Sequence, residues 1–419
     1  MMNYLRIFSR IFVGIVFTYS GFVKVIDPLG SNYKFIDYFT AFHLDFMTSL
    51  ALPLAVTMSV AELLIGMSLI AGFRMKVSSW AVLGFMAFFT PLTLVLALLN
   101  PVSDCGCFGD ALILTNWETF GKNVIILAFV LIIFLGRKKY YPVYKPFTEW
   151  ILVSMFVIAG FVLSFYCYNH LPIIDFRPYK VGTYISEDMV IPEGVPQDIY
   201  ENEFRYKNIK TGEIKEFNNS NYPWADTLNW AFVDMKSKLI KEGYHPPIHD
   251  FSIQSIEEGN DIADLILEDD KYTFILVAHN LEKSNLENQS KINRLAEYCL
   301  ANNMHFICLT STLKDQINTF KAKTKAPYTF YNSDEIMLKT TIRSNPGLIL
   351  LKKGTVLANW AHKDIPDVNQ LKSNLLSMTL KEQQKQNNML IYLCFSLGFI
   401  LFLTLAYILL KKNPQENIS

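Results

Sequence analysis

The chain has 419 residues, zero net charge, and a composition that is 51% hydrophobic and 14% aromatic, too apolar for an ordinary soluble protein of this length. Part of it belongs in lipid, and the absence of a basic tract outside short loops excludes the electrostatic footprint of a nucleic-acid binder. The six cysteines, Cys105, Cys107, Cys167, Cys299, Cys308 and Cys394, are too few for a disulfide scaffold, and only the first two are closely paired.

A helix needs about 20 predominantly apolar residues to cross the hydrocarbon core. Six segments approach that length: residues 5–26, 51–73, 79–99, 120–135, 150–168 and 389–410. The fourth is short and borrows interfacial residues at its ends. The first is too long for a cleaved signal peptide and lacks a small-residue cleavage site. Basic residues sit at alternate ends: Arg6 and Arg10 before the first span, Arg74 and Lys76 between the second and third, Arg137, Lys138, Lys139 and Lys145 between the fourth and fifth, and Lys411 and Lys412 after the last. The positive-inside rule therefore puts both termini in the cytoplasm. The loop between spans three and four and everything from about residue 169 to residue 388 then fall outside. In a Gram-negative bacterium, with which the Phe-, Asn- and Lys-rich usage is compatible, this is an inner-membrane protein with a large periplasmic part.

Three motifs mark the first four spans. Ser20, Gly21, Lys24, Asp27 and Pro28 close the first; Glu62 and Gly66 lie in the second; and Asp104-Cys105-Gly106-Cys107-Phe108-Gly109-Asp110 sits where the third meets water. Thr115 and Glu118 then have the spacing of a capping box for the fourth helix. In these residues the chain resembles the MauE branch of the DoxX-like four-helix membrane family, over about the first 140 residues. MauE proteins are associated with maturation of the disulfide-rich small subunit of methylamine dehydrogenase, and relatives with electron transfer to quinone. The resemblance implies thiol-disulfide work at the membrane surface.

The chemistry of the pair leaves alternatives open. A disulfide between residues one apart closes a small strained ring, with Gly106 relieving the backbone, and strain makes a better oxidant. Asp104 and Asp110 oppose this, because negative neighbours disfavour the thiolate that exchange requires; Lys24 offsets them if it packs nearby, or else snorkels to the headgroups. The pair can equally be a static disulfide or two unreactive thiols shaping a tight loop. Metal binding is the third possibility, although no other soft ligand lies within usual spacing. Glu62, near the middle of its span, is expensive there and reads either as a proton or quinone contact or as a hydrogen-bonded packing residue. Cys167 and Cys394, near the outer ends of spans five and six, form a second pair or stand as independent thiols.

After Asn169 the character is that of a water-soluble segment. Residues 169–245 read as a linker holding a hairpin over 203–217, around Lys210-Thr211-Gly212, and a helix over 226–241 that Asp226 would cap. His245 and His249 have a spacing seen in zinc sites, but the prolines between them prevent a shared helical face. From 246 to 380 the order is strand, helix, strand, helix and a final hairpin over Lys352-Lys353-Gly354-Thr355, a small α/β layer fold. With Asp250-Phe251-Ser252-Ile253 at its entry and Asn345-Pro346 before the hairpin, this stretch resembles membrane-tethered thioredoxin-like modules. That resemblance implies a cis Pro346 lining a substrate groove. At the position of the family's Cys-x-x-Cys the chain instead reads His279-Asn280-Leu281-Glu282, so the module has no dithiol of its own. Cys299 and Cys308 read as inert core residues.

The expected architecture is thus an α-helical polytopic membrane bundle, four-helix DoxX/MauE-like in residues 1–140 with further spans at 150–168 and 389–410, carrying an extracytoplasmic thioredoxin-like α/β domain. Two functions compete. In one, Cys105 and Cys107 exchange electrons with a membrane carrier such as quinone, supported by Lys24, Glu62, Asp104 and Asp110, while a groove at His279, Asn280 and Pro346 holds an extracytoplasmic client protein. In the other, the chain is a non-enzymatic scaffold whose groove binds a partner in an envelope assembly and whose Cys-Gly-Cys loop is structural.

Overall fold

The computed structural model describes residues 2–371 except Gln197 and Glu242, together with residues 375, 377, 379, 380 and 384. The expected sixth span and Cys394 lie outside the described residues.

The chain opens with α1 (Met2–Ile26), α2 (Pro28–Ala41), α3 (Ala51–Ala71), α4 (Met75–Leu99), α5 (Asn116–Leu135) and α6 (Pro146–Asn169). All but α2 are long and apolar enough to cross a membrane. The fourth expected span gains a turn at its start because Thr115 and Glu118 do form the capping box, which satisfies two N–H groups the helix end would otherwise leave orphaned. The bundle core is built from Val13, Phe17, Ile65, Leu69, Val82, Met86, Ile126, Val130 and Ile133. Helices α1 and α3 meet at backbone distance. A Cβ on Gly21 would stand 2.4 Å from the Leu63 nitrogen, and one on Gly66 would stand 2.3 Å from the Thr18 nitrogen. Small residues allow such an approach where no hydrophobic force drives helices together, so the two glycine motifs of the sequence are packing points.

Helix α2 adds to the elements expected from sequence. Its signals are local: Asp27 accepts a hydrogen bond from the Gly30 N–H at 2.9 Å and Pro28 takes the first turn, where its missing N–H costs nothing.

Residues 184–251 form a compact unit of their own. It holds α7 (Ile185–Asp188) and the antiparallel strands β1 (Ile199–Asn208), β2 (Ile214–Phe217) and β3 (Trp230–Lys241), in the order β2-β1-β3. The hairpin lies where the Thr211-Gly212 turn predicts it. The helix expected over 226–241 is instead β3. Asp226 accepts from the Asn229 N–H in a turn, and the aromatic and β-branched start of the segment pairs with β1. Edge-to-face contacts of Tyr206 with Phe232 and of Phe217 with Trp230 hold this register, a cross-strand term that outweighs a weak helical periodicity.

The remaining elements are β4 (Gln254–Ser255), α8 (Ala263–Glu268), β5 (Thr273–Val277), α9 (Gln289–Ala301), β6 (His305–Thr310), α10 (Lys314–Thr324), β7 (Thr329–Asn332), α11 (Glu335–Thr341), β8 (Gly347–Lys352), β9 (Thr355–Ala361) and α12 (Val368–Leu371). They build a six-stranded mixed sheet ordered β4-β7-β6-β5-β8-β9. Strands β5, β6 and β7 run parallel and β8 and β9 antiparallel. The central β5 is buried at every position, as a strand covered on both faces must be. Cys299 and Cys308 are buried in the module's core beside Phe306 and Leu295. Burial raises the Cys299 thiol to about 12 and Cys308 also upward. The Asn345–Pro346 peptide is cis.

Candidate functional site

The loop between α4 and α5 is anchored at its start by Asn116, whose Nδ2 donates to Asn100 Oδ1 and to the Val102 carbonyl, both at 2.8 Å. The sulfurs of Cys105 and Cys107 lie 2.10 Å apart, at bonding distance. Gly106 between them has φ +63°, a left-handed conformation that an L side chain disfavours. Three hydrogen bonds hold this hairpin of sulfur. Asp104 Oδ1 accepts from the Gly106 N–H at 2.8 Å, Ser20 Oγ donates to the Cys107 carbonyl at 2.6 Å, and Tyr38 Oη donates to the Cys105 carbonyl at 2.7 Å.

The charges resolve differently from the sequence expectation. Lys24 does not neutralise the flanking aspartates; its Nζ lies 2.5 Å from Glu62 Oε2. Asp104 pairs with Lys34 Nζ at 2.6 Å, and Asp110 accepts from Arg343 Nη2 at 2.5 Å. Arg343 also binds Asp27 at 2.9 Å. Burial raises the Asp110 carboxyl and Arg343 opposes that rise. Burial works against the Arg343 cation too, yet Asp27 and Asp110 outweigh it and its affinity for the proton increases. Lys34, Tyr38 and Arg343 escaped the sequence reading because all three are distant from the cysteines in sequence and carry no motif.

Below the sulfurs lies a cavity of about 270 Å³, just under the roughly 300–1,000 Å³ typical of small-molecule sites. Cys105, Gly106 and Cys107 form part of its wall, with Ser20, Lys24, Glu62 and Lys122 as further polar groups and Phe17, Phe35, Phe39, Phe85 and Phe89 among its apolar lining. Lys122 Nζ stands 4.3 Å from the Phe108 ring centroid. No described carboxylate forms a salt bridge with it. The structure thus brings five of the expected site residues together around one loop and its cavity: Cys105, Cys107, Lys24, Glu62 and Asp104. Asp110 lies three positions past Cys107, facing Arg343.

The remaining three expected residues lie in the α/β module. His279 follows β5; its Nε2 is 3.5 Å from Tyr33 Oη of α2. Asn280 accepts through its carbonyl from Asn345 Nδ2 at 2.8 Å, next to Pro346. Burial, followed by nearby Lys339, lowers His279 to about 4, so its ring is neutral at physiological pH. Cys167 is buried in α6. In the separate unit, His245 faces Asp198 at 3.3 Å.

Residues 2–136 match the family model described as Methylamine utilisation protein MauE, so the resemblance carried by the glycine motifs and the Cys-Gly-Cys-Phe-Gly loop holds for those residues, α1 to α5. Together with five helices able to cross a bilayer, that match makes the chain a membrane protein with a separate C-terminal α/β region. Residues 200–242, the three-stranded sheet, match a domain of unknown function, DUF8463. Among solved structures, an uncharacterized conserved protein from Geobacillus kaustophilus is similar over 32% of this chain and 79% of its own, at 13% identity and a TM-score of 0.24. No curated protein matches.

Proposed function

We propose that the chain is a membrane thiol-disulfide redox protein in which the Cys105–Cys107 disulfide oxidises thiols of extracytoplasmic client proteins and is restored by a lipid-soluble quinone. In each turnover two client thiols give up two electrons and two protons, a client disulfide forms, and Cys105 and Cys107 become thiols. Their reoxidation transfers the same two electrons and two protons to the quinone, which leaves as quinol. The observation that carries this reading is the position of the two cysteines on the wall of a largely apolar cavity inside the helical bundle. The other described cysteines, Cys167, Cys299 and Cys308, are free and buried. A phenyl-lined cavity beside the sulfurs admits a diffusible apolar acceptor. Lys122 and the Lys24–Glu62 pair supply the polar end, where a carbonyl oxygen gains a hydrogen-bond donor and protons can be held.

The orientation that places the disulfide loop and the α/β module in the periplasm is supported by the way basic residues gather at one end of the bundle. Arg6 packs against Gly136, Arg10 against Gly72, and Arg74 pairs with Glu149, while the disulfide loop meets α2 at the opposite end of α1. The thioredoxin-like reading of residues 246–380 is supported by the parallel β5-α9-β6 unit and the antiparallel β8–β9 hairpin. The name of the matching family places its members in methylamine utilisation; the thiol chemistry proposed here is the part of that association to which the residues of this chain speak.

The test is the thiol state of Cys105 and Cys107 in cells, trapped by acid and read with a mass-tagged maleimide, with and without depletion of the quinone pool. Accumulation of the dithiol on depletion, and an under-oxidised client in Cys107→Ser, are the expected results. One observation favours the scaffold alternative: Cys105 is only 9% exposed and both cysteine carbonyls are tied down. A pair locked in one state under every condition would select it.

A further inference from the structure

Helix α2 lies across the disulfide loop and is itself gripped by the α/β module. On the loop side Tyr38 binds the Cys105 carbonyl, Lys34 binds Asp104, and the Lys34 stem packs so closely that a Cβ on Gly106 would stand 2.9 Å from it. On the module side the Tyr33 ring meets the His279 ring edge-to-face at 6.1 Å, with Lys339 Nζ 5.0 Å and the Arg343 guanidinium 5.6 Å from the Tyr33 centroid. Arg343, only 6% exposed, then joins both sides. It binds Asp27, whose carboxylate caps the N-terminus of α2, and Asp110, just past the cysteines.

Two polar atoms around His279 are buried without a hydrogen-bond partner among the described residues: His279 Nδ1, which has the Glu335 carboxylate no nearer than 3.9 Å, and Asn345 Oδ1. Asn345 is tied to the Asn280 carbonyl, so the two atoms belong to the segment expected to form the groove, His279–Asn280, and to its direct partner before Pro346. A buried polar atom left unpaired is costly, and here the pair offers one acceptor for an incoming N–H and one ring nitrogen whose tautomer can suit a donor or an acceptor. That is the inventory an extended polypeptide backbone satisfies.

We propose that Tyr33 fills this groove in place of an extended polypeptide, and that α2 is a lid over Cys105–Cys107 which such a segment opens by displacing Tyr33. The lid joins two halves of the molecule that otherwise have no reason to communicate: a module whose described cysteines, Cys299 and Cys308, are both buried in its core, and a disulfide held against a helix. The proposal rests on the redox reading only for the identity of the segment as a thiol-bearing client; the lid is measurable without any oxidation of a client.

The experiment uses the full chain in lipid nanodiscs and follows reduction of Cys105–Cys107 by the polar phosphine TCEP, quenched with a mass-tagged maleimide. Tyr33→Ala is expected to raise the reduction rate on the order of tenfold, the factor that about 1.4 kcal/mol of lost lid closure represents, whereas Tyr33→Phe stays near wild type. Reduced, carboxymethylated α-lactalbumin, a permanently unfolded polypeptide without free thiols, should accelerate reduction of the wild type and leave Tyr33→Ala unchanged. Equal rates for wild type and Tyr33→Ala, or equal acceleration of both by the unfolded probe, would overturn the lid. Arg343→Gln should act in the same direction as Tyr33→Ala where it folds. A disulfide that ignores the quinone pool in cells, yet is unmasked by Tyr33→Ala in nanodiscs, would sink the redox reading and leave the lid standing.

Discussion

The close contact of α1 and α3 makes a quantitative claim about Gly21. A methyl group there would stand 2.4 Å from the nitrogen and 2.7 Å from the Cα of Leu63, both backbone atoms that cannot rotate away. Ordinary carbon contacts need about 3.5 Å, so Gly21→Ala must part the helices by roughly 1 Å at this point. The same movement stretches the Lys24–Glu62 pair, now 2.5 Å, toward the limit of hydrogen-bond range, about 3.5 Å. Overpacking of this kind costs about 1–3 kcal/mol, and the stretched ion pair places Gly21→Ala at the upper end. Gly121 in α5 is the control: it is exposed and has nothing within 4 Å of its would-be Cβ. Alanine there gains up to about 1 kcal/mol of helix propensity. The assay is thermal aggregation of the detergent-solubilised protein read by size-exclusion chromatography. Gly21→Ala should lose its monodisperse peak at a lower temperature than wild type, and Gly121→Ala should match or exceed wild type. Equal losses for the two variants would refute the claim that backbone contact, rather than generic sensitivity of the helices, makes Gly21 necessary.

Two further outcomes can be checked. His279 has its folded value lowered to about 4 from an ordinary 6.5, chiefly by burial, among Lys339, Glu335, Lys283 and Tyr33. Between those pH values the unfolded chain binds more protons, so this contribution is fully present above about 6.5 and is lost as pH falls toward 4. The acid-induced drop in thermal stability between pH 7 and pH 5 should therefore shrink in His279→Gln; an undiminished drop would show that another group is responsible. Cys299→Ala should cost about 1 kcal/mol, the order of one deleted methylene-sized group in a packed core, and should leave the maleimide pattern of Cys105 and Cys107 as in wild type. An altered pattern would give Cys299 a part in electron transfer.

The sequence alone determined the features that depend on short-range pattern. Spans of apolar residues announce helices because lipid leaves backbone groups no partner outside the segment, and Thr115 and Glu118 reveal the start of α5 because a cap is a local hydrogen-bond exchange. The α/β alternation after residue 250 was legible for the same reason, as was the burial of Cys299 and Cys308. Local pattern failed at 226–241, where Trp230 to Lys241 answers to its neighbour β1 and not to its own spacing. It passed over α2, although Asp27 and Pro28 carry the start signals, because a short helix of mixed polarity lacks the length signal that marks a span. Only the tertiary structure decided the electrostatics of the site. Asp104 and Asp110 look uncompensated in a loop without Lys or Arg, yet Lys34 reaches one and Arg343 the other. Charges interact through space over a few ångströms, and the 70 and 233 positions that separate these partners along the chain leave no trace in the spacing of residues.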